Sequence, residues 1–273
     1  MDVMNIDQVN DCLEGITEVI HLVSYNVYKF MENPQVANET SVQGTKNLIK
    51  ACKNKKINRF IYFSSAHVYR TPLIGFIDES TKPRPSHPYA HAHLEAENII
   101  LEECSKSNIS PTILRLSNAV GPPMNKEADC WMLVVNDIAR QIATNGRMEF
   151  RSQRNIQRDF IGIDQICKIV GEIITSSKKI TGIYNLGGGR SLTLEGLANL
   201  ISERAMKTLG VSIEATFPED NLISNFPYPD KGNTELIIST EKIQKEVMNI
   251  DTDLKKEIDE LLISSQEWFS KAV

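Results

Sequence analysis

The chain has 273 residues, 41% hydrophobic and 24% charged, with a net charge of −5, which is enough for one large or two small domains with a full core. The acidic balance removes any electrostatic reason to expect nucleic acid or an anionic membrane as partner. No apolar stretch approaches the ~20 residues that span a bilayer, and Met1-Asp-Val-Met lacks the basic and apolar regions of a secretion signal, so a cytoplasmic location is expected.

Short β-branched and aromatic runs alternate with stretches of helical period, the pattern of βαβ units around a parallel sheet. The first strand is expected at Val19–Val23, then a helix over about Val42 to Lys53 and a strand at Phe60–Phe63. A helix from Tyr89 to about Ser105 follows, with Leu94, Ile99, Ile100 and Leu101 on its buried side, and then a strand at Thr112–Leu116. Beyond Gly121-Pro-Pro123 the pattern becomes mixed: a helix near Trp131 to Thr144, a strand near Met148 to Phe150, and a helix from about Asp164. A strand at Ile183–Leu186, a helix over Thr193 to Lys207, a strand over Ser212 to Phe217 and two C-terminal helices complete it. Phe226-Pro-Tyr-Pro-Asp-Lys-Gly232 is expected to be a loop, since two prolines and a glycine forbid regular pairing.

Cys12, Cys52, Cys104, Cys130 and Cys167 have no metal-ligand spacing and are expected as reduced packing residues. His67, His87, His91 and His93 resemble a metal cluster by count, but no acidic or cysteine partner stands at ligand spacing, so no metal is expected. Gly187-Gly-Gly-Arg190 lacks the spacing of a dinucleotide fingerprint and reads as the turn before the helix at Thr193.

Ser65 closes an apolar strand and Tyr89 opens a helix. Alone, each is usually a cap or a core edge, yet a hydroxyl and a phenol so placed can face one substrate oxygen. They belong to an ordered set: Val19-Ile-His-Leu22, Gly44-Thr-Lys-Asn-Leu48, Ser64-Ser-Ala-His-Val-Tyr69, Tyr89 and its helix, Leu114-Arg-Leu-Ser-Asn-Ala-Val-Gly-Pro122, Arg158-Asp-Phe-Ile-Gly-Ile-Asp164, and Tyr184-Asn-Leu-Gly-Gly188. In this order the chain resembles the extended short-chain dehydrogenase/reductases of the NAD-dependent epimerase/dehydratase type, many of which act on nucleotide-sugars.

The resemblance implies an α/β fold: a Rossmann-like, doubly wound parallel sheet lacking its first strands, with a smaller mixed C-terminal substrate-binding part. Residues 1–122 would form a truncated dinucleotide-binding domain. Residues 123–273 would be mainly substrate-binding, with some segments returning to the first domain. The implied catalytic residues are Tyr89 and Ser65, with His93 at the position of the family's lysine and Ser41 at that of its asparagine. A phenol titrates near ~10 and is assisted by a neighbouring cation, while an imidazole of pKa ~6.5 is charged about a quarter of the time at pH 7. Cofactor contacts to NAD or NADP are implied at Asp2, Val3, Leu22, Val23, Ser24, Tyr89 and His93, and substrate contacts at Ser65, Asn118 and Arg158. Ala66-His67 replaces the Asp-Glu pair of sugar 4,6-dehydratases, which favours an epimerase, reductase or decarboxylase relative.

The family's glycine-rich turn has no counterpart here, and Asp2-Val3 resembles the acidic-apolar pair that follows the third strand, so the sequence reads as starting there, from an incomplete or late-starting coding sequence or a degenerate gene product. Burying the five residues of Val19–Val23 is worth roughly 8 to 15 kcal/mol. With that strand's flank unpaired, poor folding alone, aggregation or a borrowed strand is expected, as is weakened dinucleotide affinity. The reading is a nucleotide-sugar epimerase or reductase, with two alternatives. One is an inactive remnant serving as a binding or assembly subunit; the other is a reductase of a sterol or phenolic. A homodimer through the helices at Val42 to Lys53 and Tyr89 to Ser105 is implied.

Overall fold

In the computed structural model, residues 1–218 and 235–270 are described; the proline-rich loop at 226–232 lies outside them. The first half runs α1 (Ile6–Cys12), β1 (Glu18–His21), α2 (Val27–Glu32), α3 (Pro34–Asn38) and a π-helical turn over Glu39–Gln43 that leads into α4 (Gly44–Lys53). It continues with β2 (Arg59–Ser65), a 3-10 turn (Ala66–Val68), β3 (Gly75–Ile77), α5 (Pro88–Ser105), β4 (Ser110–Leu116) and β5 (Asn118–Val120). The second half is α6 (Val134–Asn145), β6 (Met148–Glu149), β7 (Gln157–Gly162), α7 (Ile163–Thr175), β8 (Gly182–Leu186), β9 (Ser191–Thr193) and α8 (Leu194–Leu209). Then come β10 (Ala215–Thr216), β11 (Leu236–Ile238), α9 (Glu241–Glu246) and α10 (Leu254–Phe269).

Four strands form one parallel sheet in the order β1-β2-β4-β8. Parallel strands need helical crossovers and cover on both faces, and side chains on β2 alternate accordingly. Phe60 and Tyr62 join Val9, Leu48, Ile49 and Ile100 beneath α1, α4 and α5. Ile61 points the other way, joining Leu114, Ile169, Tyr184 and Ile243 under α7 and α9.

β1 is an edge strand among the described residues, and its burial is half of what the apolar run suggests. Val19 and His21 face α4 and are buried, whereas Ile20, Leu22 and Val23 are 43%, 65% and 37% exposed. The full burial term expected for that run is therefore not realised. The inward face of α5 also differs from expectation. Ala92, His93, Ala96, Glu97 and Ile100 are buried, while Leu94, Ile99 and Leu101 lie at its margins.

The second half builds, with β5 and β3 of the first, a mixed sheet, β5-β7-β9, and two small strand pairs, β10-β6 and β11-β3. Its core packs Val135, Ile138, Leu197, Ile201 and Leu261 between α6, α8 and α10. Helix α6 starts at Val134 rather than near Trp131. Trp131 donates its indole N–H to the Lys126 carbonyl at 2.8 Å, which ties it to the preceding turn, and packs edge-on against Phe269 of α10. The strand expected over Ser212 to Phe217 shrinks to Ala215–Thr216. Cys52 and Cys104 are packing residues as expected, but Cys12 and Cys167 are exposed.

Candidate active site

Helix α5 places Tyr89. Pro88 occupies its first turn, where a missing N–H costs nothing, and the His87 ring caps it, Nδ1 accepting the Tyr89 N–H at 3.2 Å. Ser65 ends β2 and performs two tasks. Its Oγ accepts the His67 N–H at 3.2 Å, capping the 3-10 turn, and it stands beside the Tyr89 phenol, whose pKa it lowers. The cap and the candidate catalytic hydroxyl are thus one group. Burial raises the Tyr89 pKa, and the Ser65 hydroxyl opposes that only in part.

Tyr89 opens on a cavity of about 260 Å³ lined also by Tyr28, His67, His87, Asn118 and Arg158. A second cavity of about 230 Å³ adjoins it, sharing Tyr28, Asn118 and Arg158 and adding Phe150, Arg151 and the start of α6. Burial pushes the His67 pKa down to about 4, with the Arg158 charge adding to it.

His93 lies one turn after Tyr89, ring centroids 4.5 Å apart and edge-on. Its Nδ1 meets the Tyr62 phenol at 2.8 Å and its Nε2 the Ser24 hydroxyl at 3.5 Å. Ser24 Oγ is in turn 3.2 Å from Ser41 Oγ. The positions expected to hold lysine and asparagine are therefore joined, through Ser24, in one buried chain. The partial positive charge expected on His93 is absent, because burial pushes its pKa down to about 3. Below this chain, Thr45 Oγ1 donates to the Ser41 carbonyl at 2.5 Å, so His21 Nε2, 2.8 Å away, donates to Thr45. Burial pushes the His21 pKa down to about 4.

The structure brings Ser65, Tyr89, His93, Ser41 and Ser24 together, with Asn118 and Arg158 across the cavity. Asp2 and Val3 are placed elsewhere: the Asp2 carboxylate accepts the Met4 N–H at 2.9 Å, and the Val3 side chain is buried against Gly44. Leu22 and Val23 are exposed just before Ser24. Sequence reasoning missed Tyr62, Ser64, Glu97 and Arg115. Tyr62 and Ser64, two apart on β2 and so on one face, bond His93 and Glu97, one turn apart on α5. Glu97 also holds Arg115 of β4 through two charge-assisted bonds of 3.0 and 2.5 Å, with both residues fully buried. Polar residues at strand period two facing polar residues at helix period four were the available signal.

Arg158 and Asp159 are neighbours on β7 and face opposite ways. Arg158 lines both cavities, and Asp159 is buried, accepting from Ser117 Oγ at 2.6 Å and Gly188 N–H at 2.8 Å. The Gly189 and Arg190 amides face the same carboxylate, and Asn118 donates to the Asp159 carbonyl at 2.8 Å. A Cβ at Gly187 would strike the Asp159 carboxylate, and one at Gly188 the Phe160 carbonyl, so both positions require glycine. The run Gly187–Arg190 is a turn into β9, and Thr193 caps α8 just beyond.

The family model for the NAD dependent epimerase/dehydratase family matches residues 1–187. The chain belongs to that family. Among curated relatives it is 26% identical over 215 residues to an ADP-L-glycero-D-manno-heptose-6-epimerase of Brachyspira hyodysenteriae, covering 78% of this chain and 65% of that protein. It is 26% identical over 186 residues to a dTDP-D-glucose 4,6-dehydratase of Dictyostelium discoideum, covering 64% of this chain and 42% of the relative. A GDP-6-deoxy-D-mannose reductase of Pseudomonas aeruginosa is 26% identical over 223 residues, covering 77% of this chain and 70% of the relative. The chain thus spans between 42% and 70% of the length of these three curated relatives, and less than two thirds of the first two. A solved UDP-glucuronic acid 4-epimerase from Bacillus cereus in complex with NAD superposes with a TM-score of 0.80 at 20% identity, covering 98% of this chain and 78% of that one. RMD from Pseudomonas aeruginosa complexed with NADPH gives 0.80 at 21%, covering 98% and 86%. At such identities the superpositions establish the fold: Rossmann-like α/β with a parallel sheet. No helix among the described residues is long and apolar enough to cross a membrane.

Proposed function

We propose that this chain carries the substrate-side chemistry of a nicotinamide-dependent oxidoreductase acting on a nucleotide-sugar, as an epimerase or reductase rather than a 4,6-dehydratase. The observation that carries the reading is the Tyr89 phenol, beside the Ser65 hydroxyl, opening on a cavity whose far wall holds Asn118 and Arg158. Tyr89 exchanges a proton with the sugar oxygen and Ser65 bonds the same oxygen. Arg158, at the junction of the two cavities, meets the diphosphate, leaving the sugar beside Tyr89 and the base toward Phe150. Where dehydratases need an acid and a base across adjacent carbons, this chain offers buried Ala66 and a neutral His67.

Leu22 and Val23 offer an exposed apolar wall where β1 ends, fit for a nicotinamide ring, and the bound dinucleotide would supply hydride chemistry. The chain's own residues orient and protonate. The same reading divides the chain near residue 122, locates it in the cytoplasm and pairs two copies through α4 and α5, which lie side by side beneath the sheet.

The test is calorimetry of the full chain with NAD, NADPH and a panel of UDP-, GDP- and dTDP-sugars, followed by turnover. Tyr89→Phe is expected to lose at least ~100-fold in turnover while binding the sugar nucleotide unchanged, since proton transfer contributes on that order. A second reading, a binding or assembly subunit without catalysis, draws on the uncharged His93. Any Tyr89-dependent turnover excludes it.

A further inference from the structure

We propose that Tyr28 is a substrate-binding residue whose hydroxyl donates to the diphosphate, and that a hydrogen bond between Asn26 and Asp129, joining the two halves of the chain, is the latch that holds it in place. This rests on the reading above and adds to it one contact and the device that positions it.

Three residues line both cavities: Tyr28 of α2, Asn118 of β5 and Arg158 of β7. Their polar atoms sort by chemistry. Asn118 commits its amide nitrogen to the Asp159 carbonyl at 2.8 Å, which leaves its oxygen as an acceptor for a sugar hydroxyl. Phosphate oxygens accept, so donors must meet them. At this junction the donors are the Arg158 guanidinium, without an ion pair among the described residues, and the Tyr28 hydroxyl, which no described residue hydrogen-bonds. Tyr28 is 44% exposed, so a ligand can reach it.

Helix α2 has six residues and one buried side chain, Phe30, which packs with Ala37, Val42 and Ala92 and meets the Tyr89 ring edge-on at 5.8 Å. Phe30 thus seats the helix beside Tyr89. Tyr28 stands two residues earlier, roughly 200° away around the helix, so the apolar anchor does not fix the turn that carries it.

Asn26 supplies the missing restraint. Its Oδ1 accepts the Lys29 N–H at 3.0 Å and caps α2, while its Nδ2 donates to Asp129 Oδ2 at 2.8 Å. One amide therefore starts the helix and ties it to the segment whose Met132 and Leu133 wall the second cavity. The Lys29 ammonium, paired with Glu32, attracts the same carboxylate. Asp129 carries the charge of the diphosphate itself and is no ligand for it. Its part is to aim Asn26, and through α2 the Tyr28 hydroxyl, from the opposite half of the chain.

The experiment is calorimetry of the full chain with UDP, GDP and dTDP, paired with hydrogen exchange of the α2 amides in the ligand-free chain. Tyr28→Phe keeps the ring and loses the hydroxyl, and is expected to weaken the tightest-binding nucleoside diphosphate about tenfold, the worth of one charge-assisted hydrogen bond. Asp129→Ala and Asn26→Asp each break the latch, the second while keeping a capping oxygen. They change the local charge in opposite directions, so a plain field effect would strengthen diphosphate binding in the first and weaken it in the second. The latch instead requires both to weaken binding, by up to about tenfold, and both to speed α2 exchange about threefold or more. Asn26→Asp with Asp129→Asn exchanges donor and acceptor, and should restore both affinity and protection. Tyr28→Phe with Asp129→Ala should bind no worse than Tyr28→Phe alone, since the two remove one contact. Unchanged binding in Tyr28→Phe, opposite shifts in the two latch variants, or no rescue by the exchanged pair overturns the proposal and leaves the functional reading standing. A wild-type chain that binds none of the three nucleotides overturns both.

Discussion

At the residue scale, two buried histidines make stability depend on pH with a definite sign. His21 and His93 titrate at about 4 and about 3 in the fold and near ~6.5 when unfolded. The unfolded chain therefore binds more protons below pH 6.5, and stability present at neutral pH is lost as pH falls. Each contributes about 2 kcal/mol of loss between pH 6.5 and 4.5. Urea unfolding at the two pH values should show a drop to which these residues contribute about 4 kcal/mol, and His93→Gln should cut it by about 2. An equal drop in the variant would show that His93 is not buried neutral. Ser65, Tyr89, Asn118 and Arg158 were legible because each belongs to a motif whose neighbours are contiguous. The partners of His93 were not, since Ser24, in the loop after β1, and Tyr62, on β2, lie far away in the sequence and reach it only through sheet order.

At the element scale, α5 is held by a polar row as well as by its buried alanines and Ile100. Ser64 and Arg115 both converge on Glu97, while Arg115 also lies over the Tyr69 ring at 4.6 Å. Removing one member of a buried pair leaves the other charge without compensation, a loss of about 3 to 5 kcal/mol. Glu97→Ala is expected to lower stability by that amount, read as a shift of the denaturation midpoint. Glu97→Ala with Arg115→Met should recover part of it, and no recovery would mean that the loss arises elsewhere. The helix itself was plain from its length and its Pro88 start, but its inward face was misassigned. Apolar periodicity favoured Leu94 and Ile99, whereas the buried row is built on alanines with His93 and Glu97, which hydropathy alone places outside. The short strands β5, β7 and β9 escaped notice because three-residue pairings carry too little alternation to read.

At the scale of the whole molecule, the parallel core was legible from the strand and helix alternation; the exposure of its β1 edge was not. Ile20 on β1, on the side that α7 covers farther along the sheet, and Leu22 just beyond the strand are exposed, and an exposed apolar edge invites association. Ile20→Ser with Leu22→Ser is expected to reduce self-association in sedimentation without lowering the unfolding midpoint, and unchanged association would place the contact elsewhere. A second whole-molecule property follows from Asp159. Its carboxylate on β7 takes the amide that follows β8, so one side chain registers the strand bearing Arg158 against the sheet that carries Ser65. Successive main-chain amides make a concavity suited to anions, and here the guest is intramolecular. The glycine run is thus a lock already holding its key, and soluble phosphate finds no vacancy there.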